Sequence, residues 1–265
     1  MKYLLSLFLL PLYLSATEKI EFKKTPQGKL YLHTVKPGDW KASDKRPAVV
    51  FFFGGGWTKG EPQQFFPHCE YFSKLGLVTF SAEYRIKNLH KTSPFESVKD
   101  AKTAVRFIRE NAEKFGIDPN RIIAAGGSAG GHLAACTAII QGFEEGNKKV
   151  SSRPNALLLF NPALDLTWKE DTEKRFRDKA YIISPAQNIK KDVAPTLVMV
   201  GDKDTVTPLK IALEFEAKMK ENGNSCKVIS YKDQKHGFFN FKNPDMYKKT
   251  IADSEAFLRE IKFIE

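Results

Sequence analysis

Three cysteines in 265 residues are too few for a disulfide framework, and the odd count leaves at least one thiol free. Cys69, Cys136 and Cys226 show neither CxxC nor Cys/His ligand spacing, so no metal site and no cofactor is expected. Cys136 falls inside an apolar stretch of helical character and reads as a small core residue. With 17 glycines and 14 prolines, the chain is neither collagen-like nor of low complexity. No apolar run reaches the ~20 residues that a membrane-spanning helix needs. Lys and Arg (42) outnumber Asp and Glu (31), giving a formal charge of +11. The basic residues are scattered, however, in pairs such as Lys23-Lys24, Lys148-Lys149 and Lys248-Lys249. A nucleic-acid binder would gather them on one face or stripe. A solvated basic surface is the plainer reading, and attraction to an anionic polymer the sharper one. Neither an internal repeat nor a linker divides the chain.

What remains is ordinary globular composition, 42% apolar and 28% charged, with 21 phenylalanines available for a core. The first residues stand apart. Lys2 precedes an apolar run from Tyr3 to Leu14, broken only by Ser6 and Pro11, and Ser15-Ala16 follows. A short basic start, a short apolar run and a small-residue exit predict a secretory signal peptide over residues 1–16. Residues 17–265 are then expected to form a single exported domain, periplasmic or secreted.

Strand and helix patterns alternate along that domain. Strands are predicted at Ile20–Lys24, Leu30–Val35, Ala48–Phe53, Leu77–Tyr84, Arg121–Ala125, Ala156–Phe160, Thr196–Val200 and Lys227–Tyr231. Helices are predicted at Gln64–Leu75, Pro94–Phe115, Ser128–Ile140, Pro208–Asn222 and about Tyr247–Ile264. The clearest is Pro94–Phe115: Phe95, Val98, Ala101, Val105, Ile108, Ala112 and Phe115 recur every three or four residues and make one buried stripe. Alternation of this kind gives an α/β domain with a mostly parallel sheet and helices on both faces. Continuous apolar runs such as PAVVFFF, ALLLF and TLVMV suit strands covered on both sides.

In such sheets ligands bind beyond the carboxyl ends of the strands. Unusual residues stand at those ends in four places. Gly126-Gly127-Ser128-Ala129-Gly130 joins a strand directly to an apolar helix, and small residues there allow the tight turn that exposes a serine hydroxyl. Phe53-Gly54-Gly55-Gly56-Trp57 follows the first long strand. Three glycines let backbone N–H groups approach a developing oxyanion, with the Ala129 amide completing the hole. A phosphate loop would need Gly-Lys-Ser/Thr after the glycines, and that is absent. Gly201-Asp202-Lys203-Asp204-Thr205-Val206-Thr207-Pro208 offers two carboxylates, and His236 lies in Lys235-His236-Gly237-Phe238 past the last strand. His132, four residues after Ser128 on the same helix, reads as structural.

GGSAGG, FGGGW, GDKDTVTP and KHGF together resemble the esterase/lipase group of the α/β-hydrolase superfamily, with small carbohydrate esterases (acetyl-xylan and feruloyl esterase relatives) the nearest in character. The resemblance implies a serine esterase in which Ser128 is the nucleophile and His236 the base. Asp204, four residues before Pro208, would be the orienting acid, with Asp202 as the competitor. Gly55, Gly56 and Ala129 would supply the oxyanion amides. Phe53 stands where the family usually has histidine, which puts the loop's support in question. The short lead before Ala48 leaves little room for the N-terminal cap of the lipase relatives, and the stretch Leu164–Lys191 is charged rather than apolar. A minimal lid and a short acyl group on a bulky alcohol, such as a plant polysaccharide, are therefore expected. Trp57, Trp168 and Phe238 offer either sugar-stacking faces or buried packing. Other readings are an amidase or peptidase on the same three residues, and a catalytically silent binding module.

Overall fold

A computed structural model describes residues 18–170, 176 and 179–265. The expected signal peptide, residues 1–16, and most of the charged run 169–179 lie outside the described residues. Eight strands form one sheet in the order β1-β2-β4-β3-β5-β6-β7-β8. They are β1 (Glu18–Thr25), β2 (Gly28–Val35), β3 (Arg46–Phe52), β4 (Val78–Ala82), β5 (Ile117–Gly127), β6 (Ala156–Phe160), β7 (Thr196–Gly201) and β8 (Cys226–Tyr231). The β1–β2 and β2–β4 pairs are antiparallel; from β4 through β8 every pair is parallel.

Every residue of β4, β6 and β7 is buried. Because alternate side chains of a strand point to opposite faces, both faces of the central sheet are covered. The covering helices are α1 (Phe66–Lys74), α2 (Pro94–Glu110), α3 (Ala129–Ile139), α4 (Leu209–Glu221) and α5 (Pro244–Glu260). The β3–α1–β4 crossover steps toward one sheet edge and the later crossovers step toward the other. Right-handed connections therefore place α1 on one face and α2, α3 and α4 on the opposite one. Helix α5 returns to α1: the Tyr247 hydroxyl donates to the Pro67 carbonyl at 2.8 Å and the Tyr71 hydroxyl to Glu255 at 2.7 Å.

The boundaries depart from the sequence expectation where side-chain chemistry overrides periodicity. Helix α2 opens with Pro94 in its first turn and the Ser93 amide donating to the Glu96 carboxylate at 3.0 Å. It does not run unbroken to Phe115. Asn111 turns its amide back onto the Phe107 carbonyl at 2.8 Å, interrupts the helix, and one further turn, Ala112–Phe115, closes on Gly116 at φ 63°. Strand β5 is longer than expected, reaching Gly127, because Gly126 and Gly127 keep pairing with β6 up to the residue before Ser128. The predicted helix Gln64–Leu75 divides into a tighter turn, Pro62–Phe65, and α1. All three cysteines are free and buried. No described helix is long and apolar enough to cross a membrane.

Candidate active site

The parallel strands end on one edge of the sheet, and their loops bring the four sequence motifs together. Ser128 follows β5 directly and caps α3 with φ 55° and ψ −118°, a conformation that L-residues adopt only under constraint. The constraint is the packing of its glycine neighbours. A Cβ at Gly130 would stand 1.9 Å from the Phe52 carbonyl oxygen, and one at Gly127 2.3 Å from the Phe239 ring. The Ser128 amide donates to the Phe160 carbonyl at 2.9 Å, which ties the turn to the end of β6.

The Ser128 Oγ lies 2.9 Å from His236 Nε2, and His236 Nδ1 lies 2.7 Å from Asp204 Oδ2. A carboxylate only accepts, so Nδ1 carries the proton and Nε2 is left as the acceptor of the serine hydroxyl. Asp204 is buried and accepts from the Val206 and Thr207 amides at 2.8 and 2.9 Å and from the Thr207 hydroxyl at 2.9 Å. Burial alone would raise its pKa; the His236 bond and the Thr207 donors outweigh that and hold it below the usual carboxylate value. Asp202, the alternative acid, is exposed, and its amide merely continues the β7–β8 ladder to the Tyr231 carbonyl. Of the two carboxylates, only Asp204 reaches the histidine.

The glycine loop lies across the serine. A Cβ on Gly54 would be 3.4 Å from Ser128 Cβ. The Gly54 amide is engaged by Gln64 Oε1 at 2.6 Å, while Gly55 and Gly56 adopt φ 125° and 62°, conformations that glycine reaches readily. Ala129 is the first residue of α3, where an amide has no intrahelical acceptor and the helix dipole favours negative charge. Phe53 is tied to Tyr84: its ring stacks on Tyr84 at 4.1 Å and its carbonyl accepts the Tyr84 hydroxyl at 2.7 Å.

His132 is fully buried, as a structural role requires. Its Nδ1 accepts from the Trp57 indole at 3.2 Å and its Nε2 donates to the Ile183 carbonyl at 2.7 Å. Burial pushes its pKa down to about 4 despite that carbonyl, so the ring is neutral. Trp57 and Phe238 are buried, and only Trp168 keeps part of its surface open. Phe176 packs edge-on against Trp57 at 5.5 Å. Leu164, Leu166, Ile183 and Ala186 are core residues, so both ends of the expected lid stretch are anchored.

Two residues without a sequence signal complete the arrangement. Asn161, at the end of β6 with φ 35°, accepts the Gly237 amide at 2.9 Å on its side chain, and its carbonyl oxygen lies 3.2 Å from the Thr207 hydroxyl oxygen. It thereby touches both the acid loop and the histidine loop. Gln64 reaches Asn240 at 2.8 Å. Among the described residues, no cluster of three or more His, Cys, Asp or Glu could hold a metal ion.

The BD-FAE family matches residues 38–166. Among solved structures, the propionate-bound Est2 esterase of Thermogutta terrifontis is 40% identical, with 96% of this chain aligned to 97% of that one at a TM-score of 0.90. The same esterase phosphonylated by sarin is 39% identical at 95% and 97% coverage and a TM-score of 0.91. Among curated proteins, Esterase LipQ of Mycobacterium tuberculosis is 27% identical over 72% of this chain and 51% of its own length. The acetylxylan esterase of Xylanibacter ruminicola is 23% identical over 72% and 41%. The chain thus spans about half the length of the curated relatives it matches.

Proposed function

Because the chain belongs to the esterase group of the α/β-hydrolases, we propose that it is a serine carboxylic-ester hydrolase. The observation that carries the reading is the unbroken line from Ser128 through His236 to Asp204, with spacings of 2.9 and 2.7 Å. A serine hydroxyl is a weak nucleophile, so His236 Nε2 takes its proton as Oγ bonds to the ester carbonyl carbon. The carbonyl oxygen becomes an oxyanion held by the amides of Gly55, Gly56 and Ala129, each such donor contributing ~2.7–4 kcal/mol. Collapse breaks the bond to the alcohol oxygen, which leaves with the proton from the imidazolium. Water then repeats the path on the acyl-enzyme, and the carboxylic acid departs. Asp204, held ionised, keeps the imidazole in the reacting tautomer and stabilises its charged form.

Short acyl groups are the expected substrates. Propionate and butyrate occupy the Thermogutta esterase, and an acetylxylan esterase is among the relatives. On the alcohol side we infer a bulky group such as a polysaccharide. Lys203, Lys232 and Lys235, exposed on the loops that carry Asp204 and His236, favour an acidic one. The sequence of residues 1–16 makes export, to the periplasm or the medium, part of the proposal.

The test is hydrolysis of p-nitrophenyl acetate, butyrate and octanoate by the protein and by Ser128→Ala. Acetate and butyrate turnover that vanishes in the variant is the expected result. Inactivity toward every ester would leave amide hydrolysis or silent binding as the function, and turnover that survives in Ser128→Ala would remove the serine from the mechanism.

A further inference from the structure

The oxyanion loop and the histidine loop come from opposite regions of the sequence, yet their geometry must be kept to a few tenths of an ångström for one reaction. A chain of three amides spans the gap. The Gly54 N–H donates to Gln64 Oε1 at 2.6 Å, Gln64 Nε2 donates to Asn240 Oδ1 at 2.8 Å, and Asn240 Nδ2 donates to the Gly237 carbonyl at 2.7 Å. A backbone donor at one end and a backbone acceptor at the other fix its direction: no amide in it can flip without setting two like groups against each other. A second tier lies beneath. Phe65 stacks on Phe239 with centroids 5.7 Å apart and planes at 18°, and the Phe239 ring fills the slot left by the missing Cβ of Gly127. Residues 64–65 therefore grip residues 239–240, and that grip also abuts the turn that carries Ser128.

We propose that Gln64 is a positioning residue for the esterase reaction, holding the oxyanion loop in register with His236 through Asn240; this rests on the function proposed above. Nothing about Gln64 requires contact with substrate. It acts by setting where the amides after Gly54 stand when the oxyanion forms, and where Gly237, the neighbour of His236, stands when the proton moves.

Gln64→Glu is the informative variant because it keeps the shape and reverses the logic. An ionised carboxylate at this position can accept from the Gly54 amide but has no proton for Asn240; protonated, it can do both. With kcat taken per active site titrated by a fluorophosphonate, Gln64→Glu at pH 8 should lose about tenfold in kcat, with KM within twofold and the melting temperature near that of the wild type. The ratio of variant to wild-type kcat should then rise toward one as pH is lowered to 5. The facing loop carries Asp233, Lys235 and His236, and a carboxylate acting merely as added negative charge would favour the inactive imidazolium of His236 and drive the ratio down instead. Asn240→Ala should lose a similar factor, and the double variant should be little worse than either single one. A Gln64→Glu enzyme with wild-type kcat at pH 8, a ratio that stays flat or falls with acid, or additive losses would each overturn the proposal. Wild-type protein inert toward every ester would refute the esterase function itself, which separates the two failures.

Discussion

His68 makes acid stability a quantitative test of the core beneath the site. It is fully buried on α1, ringed by Phe51, Phe65, Phe160, Phe239 and Tyr247 at centroid distances of 4.8–6.1 Å. Neither ring nitrogen has a hydrogen-bond partner among the described residues. Burial pushes its pKa from 6.5 down to about 3, so the folded state holds the ring neutral while the unfolded chain protonates it. The folded pKa is depressed, hence the unfolded state binds more protons between these values. Stability is then complete above pH 6.5 and drains as pH falls from there toward 3. From pH 8 to pH 5 the loss covers about 1.5 pH units at ~1.4 kcal/mol each, or ~2 kcal/mol for this residue. His132, at about 4, adds a similar amount over the same interval. The assay is urea unfolding of wild type and His68→Leu at pH 8 and pH 5, with the slope m checked for constancy. The variant should be less acid-sensitive by ~2 kcal/mol, whatever its stability at pH 8. An equal loss in both proteins would refute the reasoning and mean that the imidazole finds water or a partner.

Four further outcomes follow from the geometry. Asp204→Asn should lower kcat by on the order of 10⁴ through the wrong imidazole tautomer, whereas Asp202→Asn, on an exposed residue, should leave steady-state kinetics nearly unchanged. Gly130→Ala forces a Cβ to 1.9 Å from a backbone oxygen; melting temperature and activity should fall together, in contrast to the Gln64→Glu pattern. Asn161→Ala leaves the half-buried Gly237 N–H without its acceptor and should reduce kcat more than it raises KM, at a stability cost of about 1 kcal/mol. If Lys203, Lys232 and Lys235 attract an acidic glycan, its KM should climb steeply between 50 and 500 mM salt while that of p-nitrophenyl acetate stays put, and a salt-independent KM would remove that attraction.

The sheet and the serine turn were legible because their signals are local. Continuous apolar runs end in glycines, and GGSAGG needs no partner to be recognised as a strand-to-helix turn. The resemblance to the esterase group, which places the acid four residues before a proline, favoured Asp204 over Asp202, and that choice agrees with burial and with the 2.7 Å bond to His236. Phe53 could not be interpreted from sequence because its support, the Tyr84 ring, lies 31 residues away. Gln64, Asn161 and Asn240 left no trace for the same reason: a side-chain amide near the end of an element is common, and what sets these apart is a partner as many as 176 residues distant. Asn111 shows the opposite limit, where a strictly local side-chain bond to Phe107 interrupts a helix whose apolar stripe continues past it.

The spread of the proposed triad along the chain has a consequence for timing. Ser128 and its base are 108 residues apart, and His236 follows β8, the last strand in the chain and one of the two edge strands of the sheet. A polypeptide emerging from the ribosome, or threaded through a translocation channel from its amino end, presents the nucleophile long before the base. Until β8 docks on β7, the serine is an ordinary alcohol. Such non-local closure belongs to the slower, millisecond-to-second class of folding events. Hydrolytic competence would therefore switch on only with the last strand, so a partly synthesised chain would carry no esterase activity.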